Sequence, residues 1–388
     1  MKTGLSRCGE ELPAVLQRAN VGLLLNQASV DNEYRLACDV LGAQLGPRLT
    51  ALFSPQHGLW SEQQANMIES PDNVYAPLGL PVFSLYCETR RPTPDMLNGL
   101  DCFVIDLQDV GTRVYTFIWT MLECLHACAD ADVMVVVLDR PNPLGGLVFE
   151  GPILDTDFQS FVGNAPIPMR HGLTIGELAR LFVAEQQIDV ELHVVQMMNW
   201  RRDMFGIPAP ARWVPPSPNM PQIDTALVYP GQVLLEGTNL SEGRGTTTPF
   251  EVMGAPFLDG YELEATVRHY SFPGVELRAT RFRPTFDKWV GEICEGVRIH
   301  VTNRQTVRSF EMTVTLLNAI RRLAGDQFKW LPPPYEYEYE RQPIDILFGS
   351  DRLRVAVDSE AATSLREFSY CDADAWRERI DSSLLYGS

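Results

Sequence analysis

The first half of the chain repeats one pattern, in which a short run of apolar and β-branched residues is followed by polar, turn-forming sequence. The runs lie at residues 21–25, 50–53, 81–85, 102–105 and 133–138, and stretches with helical spacing lie at 12–18 and 116–129. Near-continuous apolarity is typical of strands that are buried on both faces, and alternation with helices favours a parallel sheet. The pattern therefore predicts an α/β, Rossmann-like domain and argues against a sandwich or a small barrel.

Polar sequence follows four of these runs, at residues 26–27, 54–58, 106–109 and 139–143. Ligands of open parallel sheets bind in the crevice outside the carboxyl ends of the strands, so we expect these loops to converge on one site. No G-x-G-x-x-G follows the first predicted strand, and the chain has no P-loop. Nucleotide binding is therefore disfavoured.

The second half predicts a smaller α+β domain. A segment rich in Pro, Arg and Trp at 200–221 marks the boundary, and we divide the chain into an N-terminal domain, 1–224, and a C-terminal domain, 225–388. Residues 225–229 and 297–301 are strand-like, 313–323 have helical spacing, and 332–339 are typical of an extended loop. No internal repeat is visible, which argues against a solenoid.

Charge and hydropathy narrow the partners. The formal net charge is −18, which disfavours nucleic acid and anionic membrane surfaces as partners. No run of about 18 apolar residues occurs, and the first 20 residues lack the apolar core of a signal peptide. The eight cysteines are scattered without a C-x-x-C pair. We therefore expect a soluble, cytoplasmic protein with reduced thiols.

Two carboxylates and a histidine in the predicted loops are candidates for catalysis. Asp106 and Asp109 follow a buried strand, and neighbouring carboxylates in a desolvated cleft acquire different pKa values, as general acid and base roles require. An alternative for Asp109 is capping of the following helix. His57 lies in a Ser-Pro-Gln-His-Gly turn, which holds the imidazole at the edge of the sheet either for chemistry or as scaffold.

A glycine-rich polar segment at 236–246 predicts a second part of the site. It contains Glu236, Asn239, Glu242 and Arg244 among glycines that let the backbone approach a ligand. The alternative is a mobile connection. Asn and Glu suit sugar hydroxyls, whereas Arg can form two parallel hydrogen bonds to a carboxylate. The arginines that we expect to be available for this contact are Arg113, Arg140, Arg170 and Arg244. An acidic sugar is the matching ligand.

Motifs for other chemistries are missing from the sequence. The six histidines show no H-E-x-x-H and no Cys₂His₂ spacing, and no G-x-S-x-G is present. We therefore expect neither a metal nor another cofactor, and serine-hydrolase chemistry is disfavoured.

Several motifs together resemble the exo-β-N-acetylmuramidase family. They include GLLLNQASVD, LFSPQHGL, LDRPNPLGG, WVPPSPNMP and EGTNLSEGRGTT, and they follow one another along most of the chain. The resemblance implies a Rossmann-like N-terminal domain, a smaller C-terminal domain and an active-site cleft between them. It also implies release of N-acetylmuramic acid from the non-reducing end of peptidoglycan-derived glycans.

One position departs from the family pattern. The loop after the second strand commonly reads S-P-E-H-G in this family, and its Glu is a candidate for the catalytic acid; here the position is Gln56. An amide cannot serve as that acid. The proton donor is then one of Glu62, Asp106, Asp109, Glu242 or His57. We prefer Asp106 or Asp109 opposite Glu242, with Gln56 and His57 orienting the sugar.

The expected substrate-binding residues lie in the same motifs. They are Gln56, Glu62, Arg113, Tyr115, Arg140, Asn142, Arg170, His171, Asn219, Glu236, Asn239 and Arg244. The expected partner is a small glycan or muropeptide. Gln56 keeps two alternatives open: a hydrolase or lyase acting on another acidic glycan, and a non-catalytic glycan-binding protein.

Overall fold

A computed structural model describes residues 1–64, 67–207, 212–359 and 365–387. The α-helices in it are α1 (Gly4–Glu10), α2 (Ala37–Leu45), α3 (Pro94–Leu97), α4 (Phe117–Asp130), α5 (Ile175–Gln186), α6 (Ile223–Gln232), α7 (Gly260–Val267), α8 (Ser309–Ala324), α9 (Pro343–Phe348), α10 (Arg352–Asp358) and α11 (Ala373–Ile380). The strands are β1 (Val21–Leu25), β2 (Leu49–Ser54), β3 (Asn73–Tyr75), β4 (Leu80–Ser84), β5 (Cys102–Asp106), β6 (Met134–Leu138), β7 (Glu150–Ile153), β8 (Pro168–Arg170), β9 (Leu192–Val195), β10 (Val252–Ala255), β11 (Val275–Phe282) and β12 (Cys294–Val301). Short 3-10 helices lie at Ala14–Leu16, Gly46–Arg48, Thr156–Phe158, Val233–Gly237, Gly325–Gln327, Arg366–Ser369 and Asp381–Ser383.

A largely parallel sheet dominates the first half. Within the described ranges it has seven strands in the order β3-β4-β2-β1-β5-β6-β9, and β3 is antiparallel to its neighbour β4. Numbered along the chain, the six parallel strands stand in the order 3-2-1-4-5-6, which is the order of Rossmann-type folds. The order reverses between β1 and β5, so the crevice for a ligand lies outside their carboxyl ends.

Helices cover both faces of this sheet. In β5, Phe103 and Ile105 belong to one apolar cluster together with α4, whereas Val104 belongs to a second cluster with α1 and α2. All five residues of β1 and of β5 are buried. This two-sided burial explains why the runs are apolar throughout, and the predicted Rossmann-like α/β class is confirmed.

The predicted elements of the first half differ from the structure at few places. The five apolar runs correspond to β1, β2, β4, β5 and β6, and the stretch at 116–129 is α4. The helix expected at 12–18 is wrong, because only the 3-10 turn Ala14–Leu16 forms after Pro13. A segment this short gains too few hydrogen bonds to offset the cost of helix nucleation. Strand β9 was not predicted, because it is half-buried and its sequence does not form one of the apolar runs.

The second half contains a three-stranded antiparallel sheet of order β10-β12-β11. The strand and helix expected at 297–301 and 313–323 lie inside β12 and α8, and the described residues at 332–339 form neither helix nor strand. The strand expected at 225–229 is wrong, because it lies in α6. Residues 225–232 are all buried, and burial on every side leaves no polar face to reveal a helical period.

The two halves share one apolar core, which runs from Leu24 of β1 to Ile380 of α11. No helix in the described part of the chain is long and apolar enough to cross a bilayer.

Candidate active site

A cavity lies where loops at the carboxyl ends of β2 and β5 meet the second half of the chain. From the first half it is lined by Gln56, His57, Val114, Tyr115, Thr116, Phe117, Val162, Ser217, Asn219 and Met220. From the second half it is lined by Tyr229, Glu236, Arg244, Phe250, Tyr335 and Glu336. Of the four loops predicted to converge, the one at 54–58 contributes to the described lining, and the other three do not. Residues near 336, which were predicted only to be an extended loop, line the cavity as well.

Gln56 connects the two halves through its side-chain amide. Its Nε2 donates to Tyr86 Oη at 3.0 Å and to Glu336 Oε1 at 3.2 Å, while its Oε1 accepts from the Thr116 hydroxyl at 2.6 Å. Both amide hydrogens and the carbonyl oxygen are thus used. A carboxylate at position 56 could not donate these two bonds, so the amide suits a partner that is itself a carboxyl group.

Glu336 is a buried carboxyl group that faces this cavity. It is 3% exposed, and Tyr86 Oη donates to its Oε2 at 2.7 Å. Burial raises the pKa of Glu336 above its usual value, and the hydrogen bonds from Tyr86 and Gln56 and the charge of Arg244 oppose this without cancelling it. The nearby charge of Glu236 raises the pKa further. A carboxyl with a raised pKa can hold a proton for transfer.

Glu236 is a second carboxyl group in the cavity, with different partners. Arg244 Nη2 donates to its Oε1 at 2.7 Å, and the Tyr335 hydroxyl donates to its Oε2. The ion pair and the hydrogen bond together fix the direction of this carboxyl group. The loop that carries Arg244 depends on Gly245, which has a φ of +77° and whose added Cβ would lie 2.7 Å from the backbone nitrogen of Phe286.

Glu242 lies behind the cavity, where it completes a charge network. Its Oε1 is 3.2 Å from Arg244 Nε, and its Oε2 is 2.7 Å from Lys288 Nζ. Lys288 also donates to the carbonyl oxygens of Leu235 at 2.8 Å and Leu240 at 2.8 Å. Two carboxylates, Glu236 and Glu242, are therefore balanced by two cations.

His57 lines the cavity as a neutral imidazole. Its Nδ1 is 2.7 Å from the carbonyl oxygen of Gln63, an acceptor that requires Nδ1 to carry the proton. Burial lowers the pKa of His57 to about 4, and the charge of Arg244 acts in the same direction. At neutral pH, Nε2 is therefore an acceptor suited to a sugar hydroxyl or amide N–H.

Asp106 is placed differently from its predicted role. It is fully buried at the end of β5, and Arg140 binds both of its oxygens, with Nη2 2.7 Å from Oδ2. Neither residue is among the described residues that line the cavity. The bidentate pair holds the loops after β5 and β6 together, which occupies the groups that we expected to bind or protonate substrate.

Asp109 is also buried beneath the cavity. Its Oδ2 accepts from the backbone N–H of Gly111 at 2.7 Å and lies 3.3 Å from His171 Nε2. His171 Nδ1 accepts from the N–H of Leu173 at 3.1 Å, so its other nitrogen carries the proton that faces Asp109. Asp109 thus ties the loop after β5 to the segment after β8, and it does not line the cavity in the described structure.

Two of the predicted arginines are internal. Arg113 is fully buried and donates only to main-chain carbonyl oxygens in its described contacts, those of Pro152, Ile167, Leu347 and Phe348. Arg170 pairs with Glu150 at 2.8 Å and donates to the carbonyl oxygen of Leu144 at 2.7 Å. Among the four predicted arginines, Arg244 is the one that the described cavity lining includes.

Some of the remaining residues predicted to bind substrate line the cavity, and others do not. Tyr115 and Asn219 line the cavity. Glu62 is exposed and is not part of the described lining. Asn142 bonds to the backbone of Leu144 and Leu173, and Asn239 bonds to the backbone of Gln327 and Lys329. These two side chains shape loops.

Sequence reasoning missed the residues that bring the second carboxyl group into the cavity. Tyr335 and Glu336 belong to the Tyr-Glu-Tyr-Glu-Tyr-Glu sequence at 335–340, and Tyr86 follows β4. Alternation of aromatic and acidic residues in a loop was the available signal, since aromatic and carboxyl groups together suit sugars.

Within the described ranges, no group of three or more His, Cys, Asp or Glu side chains is arranged so that it could hold a metal ion.

Comparison with known proteins gives matches along most of the chain. A family model described as "Exo-beta-N-acetylmuramidase NamZ, N-terminal" matches residues 21–224, and its C-terminal counterpart matches residues 227–386. A curated relative from Bacillus subtilis (strain 168), named peptidoglycan beta-N-acetylmuramidase NamZ, is 43% identical over 331 residues. That match covers 85% of this chain and 80% of the relative.

Two crystal structures of DUF1343 family proteins from Bacteroides fragilis NCTC 9343 share the fold. The first has a TM-score of 0.88 and 31% identity, and the match covers 99% of this chain and 98% of that chain. The second has a TM-score of 0.76 and 26% identity, with coverage of 100% and 99%.

Proposed function

Because the chain belongs to the exo-β-N-acetylmuramidase NamZ family, we propose that Glu336 and Glu236 are the two carboxyl groups with which it cleaves its substrate. The protein is a glycoside hydrolase that releases N-acetylmuramic acid from the non-reducing end of peptidoglycan fragments. The observation that supports the pair is their position in one cavity with opposite environments, since Glu336 is buried with a raised pKa and Glu236 is ion-paired.

In this proposal Glu336 is the general acid. Glycoside hydrolysis needs a proton on the departing oxygen, and a carboxyl group with a raised pKa supplies it near neutral pH. The proton moves from Glu336 to the glycosidic oxygen as the bond to the anomeric carbon breaks. Tyr86 and Gln56 then donate to the carboxylate that remains. Gln56 thus orients the acid.

Glu236 is the ionised partner. Hydrogen bonds from Arg244 and Tyr335 fix its direction. An ionised carboxylate opposite the acid either removes a proton from the attacking water, which inverts the anomeric carbon, or attacks that carbon itself, which retains it. Nuclear magnetic resonance of the first-formed anomer of N-acetylmuramic acid distinguishes these two steps.

The lactyl carboxylate of the sugar meets Arg244 in this proposal. Arg244 lines the cavity, and a guanidinium can bind a carboxylate in a planar geometry that an ammonium cannot reproduce. His57 Nε2 and Asn219 are placed to bind the hydroxyl or N-acetyl groups. The division at residues 224 and 225 fits this arrangement, because lining residues come from both sides of it.

The test compares Glu336→Gln and Glu236→Gln on a muramyl–glucosaminyl disaccharide. Loss of a general acid lowers kcat by about 10² to 10⁴, and the loss at Glu336 should be much smaller for a substrate with a leaving group that needs no proton. Added azide should restore turnover in Glu236→Gln but not in Glu336→Gln on the disaccharide. Near wild-type kcat in either variant on the disaccharide would show that its carboxyl group is not catalytic.

The cytoplasmic location expected from the sequence stays a prediction. Fractionation of cells that produce the native protein tests it, and recovery mainly outside the cytoplasm would contradict it.

A further inference from the structure

Arg90 lies beside the cavity in the corner formed by two tyrosine rings, which meet edge to face. Its Cζ is 4.4 Å from the ring centroid of Tyr86 and 4.1 Å from that of Tyr337, and Phe161 lies at 5.9 Å. Its Nη1 donates to the carbonyl oxygen of Cys87 at 2.7 Å. In the described structure its Nε is buried without a hydrogen-bond partner, and no carboxylate there forms an ion pair with Arg90. The rings are thus its main partners.

Both tyrosines are directly connected to Glu336, one by a hydrogen bond and the other by the chain. The Tyr86 hydroxyl donates to Glu336 Oε2 at 2.7 Å, and Tyr337 is the next residue along the chain. The backbone of Glu336 and Tyr337 has φ values of +45° and +67°. Residues other than glycine adopt this left-handed region at a cost, so surrounding contacts must hold them there. A side chain that fixes both rings therefore fixes the hydrogen-bond donor and the backbone of Glu336 together.

We infer that Arg90 is a positioning residue for Glu336, which it holds in place through the rings of Tyr86 and Tyr337. This inference rests on the proposed role of Glu336 as general acid. The two rings meet edge to face, with centroids 6.0 Å apart and planes at 73°, and a guanidinium in that corner contacts both rings, whereas a lysine ammonium is a compact, strongly hydrated charge. Packing alone would make Arg90 important for stability, but it would not link Arg90 to one step of the reaction.

Dependence on the leaving group separates these two roles. In the disaccharide the leaving group is the glucosaminyl residue, a poor alkoxide that needs the proton of Glu336, whereas 2,4-dinitrophenolate leaves without one. Misplacement of a catalytic group by about 1 Å costs on the order of 10² in rate. Displacing the acid should therefore slow hydrolysis of the disaccharide and leave hydrolysis of the dinitrophenyl glycoside almost unchanged.

The experiment measures kcat and KM of the full-length protein for the muramyl–glucosaminyl disaccharide and for 2,4-dinitrophenyl β-N-acetylmuraminide. The variants are Arg90→Ala, Arg90→Lys and Glu336→Gln. Arg91→Ala is the matched control, since Arg91 is adjacent in sequence but makes an exposed ion pair with Glu123 at 2.7 Å. We expect Arg90→Ala to lower kcat/KM, which reports cleavage of the glycosidic bond in both retaining and inverting mechanisms, by about 10- to 100-fold on the disaccharide and by less than about threefold on the dinitrophenyl glycoside.

Arg90→Lys should recover little of this loss, and Arg91→Ala should stay within about twofold of wild type on both substrates. Thermal melts establish that the variants are folded; if Arg90→Ala is not, Arg90→Lys is judged by the same ratio. Equal losses on both substrates for the Arg90 variants, with a selective loss for Glu336→Gln, would overturn the inference and leave the acid assignment intact. Equal losses for Glu336→Gln would overturn both.

Discussion

Arg113 is predicted to stabilise the fold, and Arg244 is predicted to bind the lactyl carboxylate of the substrate. Arg113 is completely buried, and its guanidinium donates to four carbonyl oxygens at 2.8 to 3.0 Å. Two of these belong to Leu347 and Phe348 at the end of α9, and the other two belong to Pro152 and Ile167. Burial lowers the pKa of Arg113 to about 9, so it remains charged at neutral pH.

Replacement of Arg113 by Lys should therefore cost folding stability. A single ammonium cannot reach both pairs of acceptors, so two carbonyl oxygens lose their donor. Each buried polar group left without a partner costs about 1–3 kcal/mol, which gives a loss on the order of 2–6 kcal/mol. Total stabilities are about 5–15 kcal/mol, so the variant should lose a large fraction of its free energy of unfolding.

Two measurements on each variant check this prediction. Denaturant unfolding followed by tryptophan fluorescence gives the stability, and the ratio of kcat/KM for matched muramyl and glucosaminyl substrates gives the discrimination between sugars. For Arg113→Lys we expect a lower unfolding midpoint with an unchanged ratio in the folded protein. For Arg244→Lys we expect the ratio to fall by about tenfold or more, with a smaller change in the midpoint.

The reasoning fails if Arg113→Lys keeps the wild-type midpoint and instead alters the ratio. Its four carbonyl contacts would then not be what the side chain contributes. An unchanged ratio in Arg244→Lys would mean that the lactyl carboxylate binds elsewhere, with the backbone N–H groups of residues 243–245 as the next candidates.

Three further predictions concern pH and metal. Because burial raises the pKa of Glu336, kcat should fall as pH rises through that pKa, and a pH–rate profile of Glu336→Gln should lack this limb. His57 has a pKa lowered from 6.5 to about 4, so the neutral form stabilises the fold above pH 6.5 and the contribution is lost as pH falls toward 4. At about 1.4 kcal/mol per pKa unit, wild type should lose up to about 3 kcal/mol more than His57→Gln between pH 7 and 4, measured by denaturant unfolding. Dialysis against a chelator should leave turnover of the disaccharide unchanged; a loss restored by a divalent cation would contradict metal-independent catalysis.

The fold was predictable where burial leaves a pattern in the sequence. Strands β1 and β5 are covered on both faces, so their residues are apolar without a break. Helix α6 is buried on all sides from residue 225 to 232, and its sequence ALVYPGQ resembles a strand for the same reason. Burial on all sides therefore produces a similar sequence pattern in a strand and in a helix, and only tertiary contacts distinguish the two. One such contact is between α6 and α8, where a Cβ added to Gly231 would lie 2.0 Å from the carbonyl oxygen of Ser309.

The site was predictable in its loops and not in its pairing. Gln56, His57, Glu236 and Arg244 all line the cavity, and their roles there stay predictions. Glu336 was missed because it reaches Gln56 across 280 residues of sequence, and no local signal marks which acidic residue of the Tyr-Glu alternation turns inward. The amide at position 56 was a clue, since an amide beside a carboxyl group can donate where a second carboxylate would repel.

Some charged residues that we predicted for the site are paired inside the protein instead, because a buried charge requires a partner. Polar residues at the carboxyl ends of parallel strands have to be satisfied before a ligand arrives, because an unpaired buried charge is very costly. Asp106, at the end of β5, meets that requirement by pairing internally with Arg140. Glu150 and Arg170, which face each other across the antiparallel pair of β7 and β8, are paired in the same way. They hold the crevice in shape, and the second half of the chain then supplies both proposed catalytic carboxyl groups to a crevice that the first half has built.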